Sequence, residues 1–211
     1  ITARYAKFLT REKIDLPFDR NKAFINWSRD DKYIYFTSPG NGGQPLYRVN
    51  LTKGINIYPP LSALKDDVKI EQLTGFESGI ANYDLAGDKL VYVKTEVANP
   101  FELYAADADA KNEKRISSFN SSWIAGKQLS FPEKHSFKNE KGMTIEYWVM
   151  KPTNYQPGKK FPLLLEIHGG PSAMWGPGES SMWHEYQYFC GKGYGVVYAN
   201  PRGSGGYGLD F

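Results

Sequence analysis

Two segments near the end of the 211-residue chain decide its fold. They are Phe161-Pro-Leu-Leu-Leu-Glu-Ile167, which leads into His168-Gly-Gly-Pro171, and Gly195-Val-Val-Tyr-Ala-Asn200, which leads into Pro201-Arg-Gly-Ser-Gly-Gly-Tyr-Gly208. Each begins with an apolar run, and the run from Leu163 to Ile167 is typical of a strand that is buried on both faces. A helix-length segment, about Ser180 to Gly191, separates the two. The order strand, helix, strand predicts a parallel pair joined by a right-handed crossover.

Glycines follow both predicted strands directly. Without side chains, their backbone N–H groups can approach a ligand closely and donate to an oxygen on which negative charge develops. The sequence therefore predicts one half of an oxyanion-binding site. A hairpin precedes it, because Leu129 to Phe137 and the alternating strand Met143 to Met150 flank a turn signal at Lys138 to Gly142.

The first half of the chain repeats itself at a shift of 57 residues, since Asp31-Lys-Tyr-Ile-Tyr-Phe36 aligns with Asp88-Lys-Leu-Val-Tyr-Val93 and 88 − 31 = 57. Leu46-Tyr47 and Leu103-Tyr104 align at the same shift. Alternating strands that recur in this way are typical of antiparallel β units. An insertion around Gly54 to Lys69, with the character of an exposed loop, lengthens the first unit.

Four-stranded units of about 40 to 50 residues are the signature of a β-propeller, so residues 22–118 are predicted to form two blades. Two blades do not close a ring, because propellers commonly have four to eight. We therefore expect either further blades or another chain that covers the exposed edges. A small β-sandwich is the alternative that the pattern leaves open.

Composition excludes several classes of function. The net charge of +3, without long blocks of like charge, does not indicate a nucleic-acid partner. No apolar run approaches the roughly 18 residues that span a bilayer, so the chain is expected to be soluble, with its compartment, periplasmic, secreted or cytoplasmic, left open. The single cysteine, Cys190, is expected to pack on the inner face of a helix rather than to act as a nucleophile.

Two glycine-rich phrases follow the hairpin and the propeller-like repeats, namely His168-Gly-Gly-Pro171 and Asn200-Pro-Arg-Gly-Ser-Gly-Gly-Tyr-Gly208. In this combination the chain resembles the prolyl oligopeptidase family of serine peptidases. The likeness is to its acylaminoacyl-peptidase and dipeptidyl-aminopeptidase-like branch, and it covers nearly the whole chain. It implies a mixed fold in which β-propeller blades precede an α/β-hydrolase domain. On this basis residues 1–120 are expected to be two blades, and residues 121–211 the first part of the hydrolase domain.

The resemblance also implies roles for individual residues. The backbone N–H of Gly170 is expected to donate to the tetrahedral oxyanion, and the second donor is expected from the residue after the nucleophilic serine. Each such donor lowers a barrier by on the order of 3 kcal/mol. His168 stands where some branches carry a tyrosine, which leaves this task to the backbone. His168, Gly169, Pro171 and Trp175 are expected to shape the loop and the substrate pocket.

None of the serines in the chain lies in a Gly-x-Ser-x-Gly nucleophile elbow; Ser172, Ser180 and Ser204 come nearest and do not fit. The catalytic serine, acid and base are therefore expected beyond residue 211, and these 211 residues alone are expected to be inactive. His135 and His184 lack metal-ligand spacing, so neither a metal nor a cofactor is predicted. Arg202 is expected to bond loop carbonyls or a carboxylate.

The leading hypothesis is a serine peptidase that hydrolyses peptide or acyl-peptide bonds through an acyl-enzyme. Its partners would be a peptide substrate, the remaining propeller blades and the rest of the hydrolase domain, with a homo-oligomer left open. Two alternatives stand beside it. One is an esterase or lipase of the same fold, and the other is a non-catalytic propeller protein with a degenerate hydrolase domain that serves as a binding module.

Overall fold

The fold consists of three four-stranded β-sheets with little helix. The computed structural model describes residues 25–50, 70–170, 173–178, 183–208 and 211. Within these residues, no helix is long and apolar enough to cross a membrane. The insertion predicted around Gly54 to Lys69 lies outside the described residues.

The first two sheets are antiparallel meanders in which each strand pairs with the next. The strands of the first sheet are β1 (Ile25–Trp27), β2 (Tyr33–Thr37), β3 (Leu46–Asn50) and β4 (Ile70–Gln72). Those of the second are β5 (Ser78–Ala86), β6 (Lys89–Glu96), β7 (Asn99–Asp107) and β8 (Lys114–Arg115). The repeated phrases fall on equivalent strands, β2 with β6 and β3 with β7, so the internal repeat is a structural one.

Aromatic and aliphatic side chains join the two meanders in one core. Tyr35 and Leu46 of the first sheet pack with Ile80, Leu90 and Tyr92 of the second. The buried hydroxyl of Tyr83 donates a hydrogen bond of 2.7 Å to the backbone oxygen of Tyr35. Burial of apolar area at about 25 cal/mol per Å² is the main term that holds such faces together, and the hydroxyl bond fixes their register.

The third sheet is mixed, with the strand order β11-β12-β10-β9. Its strands are β9 (Pro132–Lys138), β10 (Thr144–Met150), β11 (Leu163–Glu166) and β12 (Gly195–Ala199). β9 and β10 form the predicted hairpin, and β11 and β12 form the predicted parallel pair. The two helices of the described residues are α1 (Ser121–Ile124) and α2 (Trp183–Gly191). Residues 180–182, where the predicted helix between β11 and β12 was expected to begin, lie outside the described residues.

Helix α2 covers one face of the third sheet. Its residues Tyr186 and Cys190 pack against Trp148 and Met150 of β10 and Tyr198 of β12. The rings of Tyr186 and Tyr198 stack with centroids 4.4 Å apart. Cys190 is fully buried there, as predicted, and the burial raises the pKa of its thiol, which keeps the sulfur protonated and unreactive.

The expectation that the strand at Leu163 to Ile167 is buried on both faces was wrong. Leu163 and Leu165 are 60% exposed and Ile167 is 75% exposed, whereas Leu164 packs against the core. β11 is an edge strand of the described sheet, and α2 covers only the face on which Leu164 lies. A continuous apolar run predicts burial on both faces, and the described residues supply a cover for only one of them.

Glycines bring the loops of the third sheet into backbone contact with the first two. A Cβ on Gly176 would lie 2.1 Å from the carbonyl oxygen of Gly42, and one on Gly178 would lie 2.6 Å from the carbonyl oxygen of Ser78. The N–H of Gly178 donates a hydrogen bond of 3.1 Å to the oxygen of Gly42. Only residues without side chains permit two backbones to approach this closely.

We expect replacement of Gly176 by alanine to destabilise the protein by about 2 kcal/mol or more, because the added methyl group cannot fit without moving backbone on both sides. Thermal unfolding followed by circular dichroism measures the effect. Gly191→Ala is the matched control, since a Cβ at that helix end meets nothing within 4 Å. Equal unfolding temperatures for the two variants would contradict the close contact.

Glu166, at the end of β11, has a raised pKa because partial burial disfavours its charged form, and the negative charge of Glu185 on α2 adds to the rise. A carboxyl whose pKa is higher in the folded state binds more protons there than in the unfolded state. The protein should therefore lose stability as the pH rises from the usual carboxyl range, about pH 4, through the raised pKa.

Glu166→Gln removes this titration, so the variant should lose less stability than the wild type across that pH window. Unfolding temperatures measured between about pH 4 and pH 7 test the effect. Glu140→Gln, an exposed carboxyl in the β9–β10 turn, is the control. A Glu166 variant with the same pH profile as the wild type would show that the carboxyl carries no such penalty.

Candidate functional site

The candidate site lies at one edge of the third sheet. Because β11 and β12 are parallel, both of their carboxyl ends reach this edge, and the glycine-rich loops that follow them meet there. The N–H of Gly205 in the second loop donates a hydrogen bond of 3.1 Å to the oxygen of Ala173 in the first. Pro171, which was expected to contribute to this site, lies outside the described residues.

Gly169 and Gly170 form an exposed turn directly after β11. Gly170 has a φ of +76°, a conformation that strains any residue with a side chain. Among the described residues, neither of the two N–H groups has a hydrogen-bond acceptor. A Cβ on Gly169 would meet nothing within 4 Å, and one on Gly170 would meet only the Cβ of Ala173 at 3.9 Å. The turn therefore presents bare donors with open space around them.

His168 is held by polar contacts at its ring nitrogens and by ring packing with Trp175. Its Nε2 lies 3.2 Å from Oδ1 of Asn200 and 3.2 Å from Oγ of Ser204. The Ser204 hydroxyl donates its own proton to the carbonyl oxygen of Pro201 at 2.7 Å, so its oxygen faces the imidazole as an acceptor. Nδ1 lies at a longer distance, 3.4 Å, from the backbone oxygen of Gly169, so the two acceptors at Nε2 favour the tautomer that is protonated there. The ring also packs on Trp175, with centroids 5.2 Å apart.

Asn200 is fully buried, and its side-chain amide makes four hydrogen bonds. Its Oδ1 accepts the backbone N–H of Trp175 at 2.8 Å and faces His168, while its Nδ2 donates to the oxygen of Trp175 at 2.6 Å and to the hydroxyl of Tyr207 at 3.0 Å. Because a backbone N–H can only donate, the orientation of the amide is fixed. Asn200 thus connects the two loops, and both polar atoms of its amide have hydrogen-bond partners.

The polar network continues from Asn200 across the sheet. The hydroxyl of Tyr207 donates to Oε2 of Glu146 at 2.9 Å, and Oε1 of Glu146 pairs with Nζ of Lys134 at 2.6 Å. Burial and the nearby carboxylate raise the pKa of Tyr207, so its hydroxyl stays protonated and keeps donating. The loop is in this way anchored to β10 and β9.

The remaining candidates fall in different places. Trp175 is half-buried and packs edge-on against Tyr186 as well as on His168, so its ring is part of the core beneath the turn. Arg202 is exposed and has no hydrogen-bond or ion-pair partner among the described residues, so the bonding expected for it stays a prediction. His135 and His184 lie away from the turn and stack on Tyr147 and Tyr188. No cluster of residues suited to a metal ion occurs in the described ranges.

Sequence reasoning missed Asn200, Ser204 and Tyr207 as parts of this site. All three stand within the phrase that follows β12, where the glycines, Arg202 and a nucleophilic role for Ser204 were the features considered. The available signal was the position of Asn200, a polar residue placed directly after an apolar strand and before a proline. A buried polar group at such a point needs partners, and the parallel strand order supplies them from the neighbouring loop.

No family model matches the chain. Among curated proteins, it is 30% identical over 187 residues to an uncharacterized peptidase of Bacillus subtilis, YuxL, with 88% of this chain and 26% of that protein covered. It is also 30% identical over 192 residues to dipeptidyl-peptidase 5 of Aspergillus fumigatus, with 90% of this chain and 25% of that protein covered. The chain thus spans about a quarter of the length of these relatives.

Solved structures agree with these relatives. An acylaminoacyl peptidase in complex with Z-Gly-Gly-Phe-chloromethyl ketone superposes with a TM-score of 0.66 at 26% identity, over 91% of this chain and 27% of that one. The acylaminoacyl peptidase of Pyrococcus horikoshii gives the same TM-score of 0.66 and 26% identity, over 92% of this chain and 28% of that one. With the fold and these likenesses, the chain belongs to the prolyl oligopeptidase family of peptidases.

Proposed function

We propose that the protein is a serine peptidase that hydrolyses peptide or acyl-peptide bonds through an acyl-enzyme, and that this chain supplies part of its oxyanion hole. The observation that carries the proposal is the turn at Gly169 and Gly170, whose two N–H groups point to no acceptor in the described residues and lie in the open. Donors held in place before the reaction stabilise the charge of a tetrahedral intermediate without reorganising.

In the proposed mechanism, the hydroxyl of a catalytic serine attacks the substrate carbonyl while a histidine removes its proton. The carbonyl oxygen becomes negative and accepts the N–H of Gly170, with a second donor from the residue after the serine. The histidine returns that proton to the leaving amine as the intermediate collapses, and the acyl-enzyme that remains is hydrolysed by water. His168, Gly169, Pro171 and Trp175 would shape the pocket around the reacting bond.

The catalytic serine, acid and base of this proposal belong to parts of the protein other than these 211 residues. The curated relatives are about four times as long as the matched region, since it covers 25–26% of them, which leaves room for such parts. The exposed apolar face formed by Leu163, Leu165 and Ile167 agrees with a hydrolase sheet that other segments cover.

The division of the chain is part of the same proposal. Residues 1–120 would be two blades of a β-propeller, and residues 121–211 would be the first part of an α/β-hydrolase domain. The two antiparallel meanders support the first assignment, because a propeller blade is a four-stranded meander. The hairpin followed by a parallel pair with a crossover helix supports the second.

A fluorophosphonate probe, which phosphonylates activated serine hydroxyls, tests the function on the complete protein. We expect one labelled site per molecule and loss of labelling when the serine of a Gly-x-Ser-x-Gly elbow is replaced by alanine. Acetyl-alanine p-nitroanilide, alanyl-alanine p-nitroanilide and p-nitrophenyl butyrate then separate blocked-peptide, dipeptide and ester cleavage. A folded protein that resists the probe would be the non-catalytic alternative, and cleavage of the ester alone would indicate an esterase.

Gly170→Ala tests the turn itself. The methyl group fits the open space, but at a φ of +76° it strains the turn and should shift the N–H away from the oxyanion. We expect the maximal rate kcat to fall roughly 10- to 100-fold, with little change in KM, because an interaction made only in the transition state is weakened. Steady-state kinetics on the best substrate of the panel measures the change.

Gly158→Ala is the matched control for this experiment. Gly158 lies in an exposed loop with a φ of +81°, and nothing lies within 4 Å of the position that an added methyl group would take, so its backbone strain should equal that at Gly170. Both variants should lose about 1 kcal/mol of stability. If the two also lost the same fraction of kcat, Gly170 would have no special part in the reaction.

A further inference from the structure

We propose that Asn200 is a positioning residue for the oxyanion turn, and that Ser204 assists it. This inference rests on the proposed function and adds to it the residues that hold the donors in place. Asn200 contacts His168 and Trp175, so one buried side chain holds both ends of the segment that contains Gly169 and Gly170.

Asn200 makes two hydrogen bonds to the backbone of Trp175. The side-chain amide of Asn200 accepts the N–H of Trp175 at 2.8 Å and donates to its oxygen at 2.6 Å, as a neighbouring strand would do with its backbone. Trp175 is thereby fixed in both translation and rotation relative to the end of β12. The adjoining Gly176 is fixed from the other side by its close contact with Gly42.

The contact with His168 fixes the other end of the segment. The Nε2–H of the imidazole is shared between Asn200 Oδ1 and Ser204 Oγ, each at 3.2 Å. Nδ1 of the same ring lies 3.4 Å from the backbone oxygen of Gly169, which belongs to the peptide group that carries the N–H of Gly170. A ring held at Nε2 therefore also restricts the direction of this peptide group. The exposed glycine turn has few contacts of its own, and its orientation must come from these flanking residues.

The chemistry of the site requires an amide at position 200. Two acceptor contacts and two donor contacts converge on one side chain that is fully buried. An aspartate has nearly the same shape but no donor, so it would face the oxygen of Trp175 with a second oxygen and leave the Tyr207 contact to be rebuilt. Asn200→Asp therefore alters positioning with the smallest change in volume.

The rate of phosphonylation by the fluorophosphonate probe, measured on the complete protein, tests this role. Asn200→Asp should slow labelling roughly 10- to 100-fold while the final labelled fraction stays at the wild-type value, because every molecule keeps its serine. Ser204→Ala removes one of the two acceptors at Nε2 of His168, together with the hydrogen bond to the oxygen of Pro201, and should slow labelling about three- to tenfold. Hydrogen exchange should quicken in peptides that cover residues 168–175 and stay unchanged in residues 78–107.

Tyr83→Phe is the control for lost stability without lost positioning. It removes a buried hydroxyl that bonds to the backbone of Tyr35, far along the chain from the turn, and should lower the unfolding temperature while leaving the labelling rate unchanged. A structural role alone for Asn200 would make its variant behave like Tyr83→Phe. The difference between the two labelling rates therefore decides the point.

Labelling rates within about twofold of the wild type for folded Asn200→Asp and Ser204→Ala variants would overturn the positioning role while leaving the peptidase assignment intact. If Asn200→Asp does not fold, Ser204→Ala alone decides, since it removes one hydroxyl from an otherwise unchanged loop. A wild-type protein that does not react with the probe would instead remove the proposed function, and the positioning role with it.

Discussion

Parallel pairing of β11 with β12 is the interaction on which the site depends. Two parallel strands end at the same edge, so the glycine turn after β11 and the loop after β12 become neighbours although 32 residues separate His168 from Asn200. Antiparallel pairing would put the two loops at opposite edges. The crossover helix α2 makes the parallel arrangement possible, and its Tyr186 and Cys190 bury the face of the sheet beneath the site.

The contact between the meanders and the third sheet depends on the absence of side chains. Gly42, Gly43 and Gly79 on one side meet Gly176 and Gly178 on the other, at distances that no Cβ atom would permit. The indole of Trp183 adds a hydrogen bond of 2.7 Å to the oxygen of Val97 in the second meander. Since Gly176 follows Trp175 in the loop of the site, the same contact that joins the sheets also restrains the loop.

Much of this fold was predictable from sequence because its signals are local. The repeat at Asp31 and Asp88, the hairpin before Met150 and the strand–helix–strand order were each predicted from periodicity and turn residues. The glycine contacts and the hydrogen bonds of Asn200 were not predictable in this way, because each depends on segments that meet only in the folded chain. The exposure of one face of β11 was not predicted for a related reason. An apolar run shows that its side chains favour burial, but it does not show whether another segment of the described chain packs against them.

The N–H groups of Gly169 and Gly170 have no protein acceptor among the described residues, and this explains why restraint of the loop would matter. In water, exposed donors are hydrated, so leaving them without a protein acceptor costs little. In the proposed reaction, a substrate would exclude that water and leave the same donors unsatisfied unless an anionic oxygen took the place of water. The donors would favour the intermediate only if they were already aimed at it. A turn of glycines has little intrinsic order. The order must come from beside it, from the buried amide of Asn200 on one loop and the close backbone contact of Gly176 on the other.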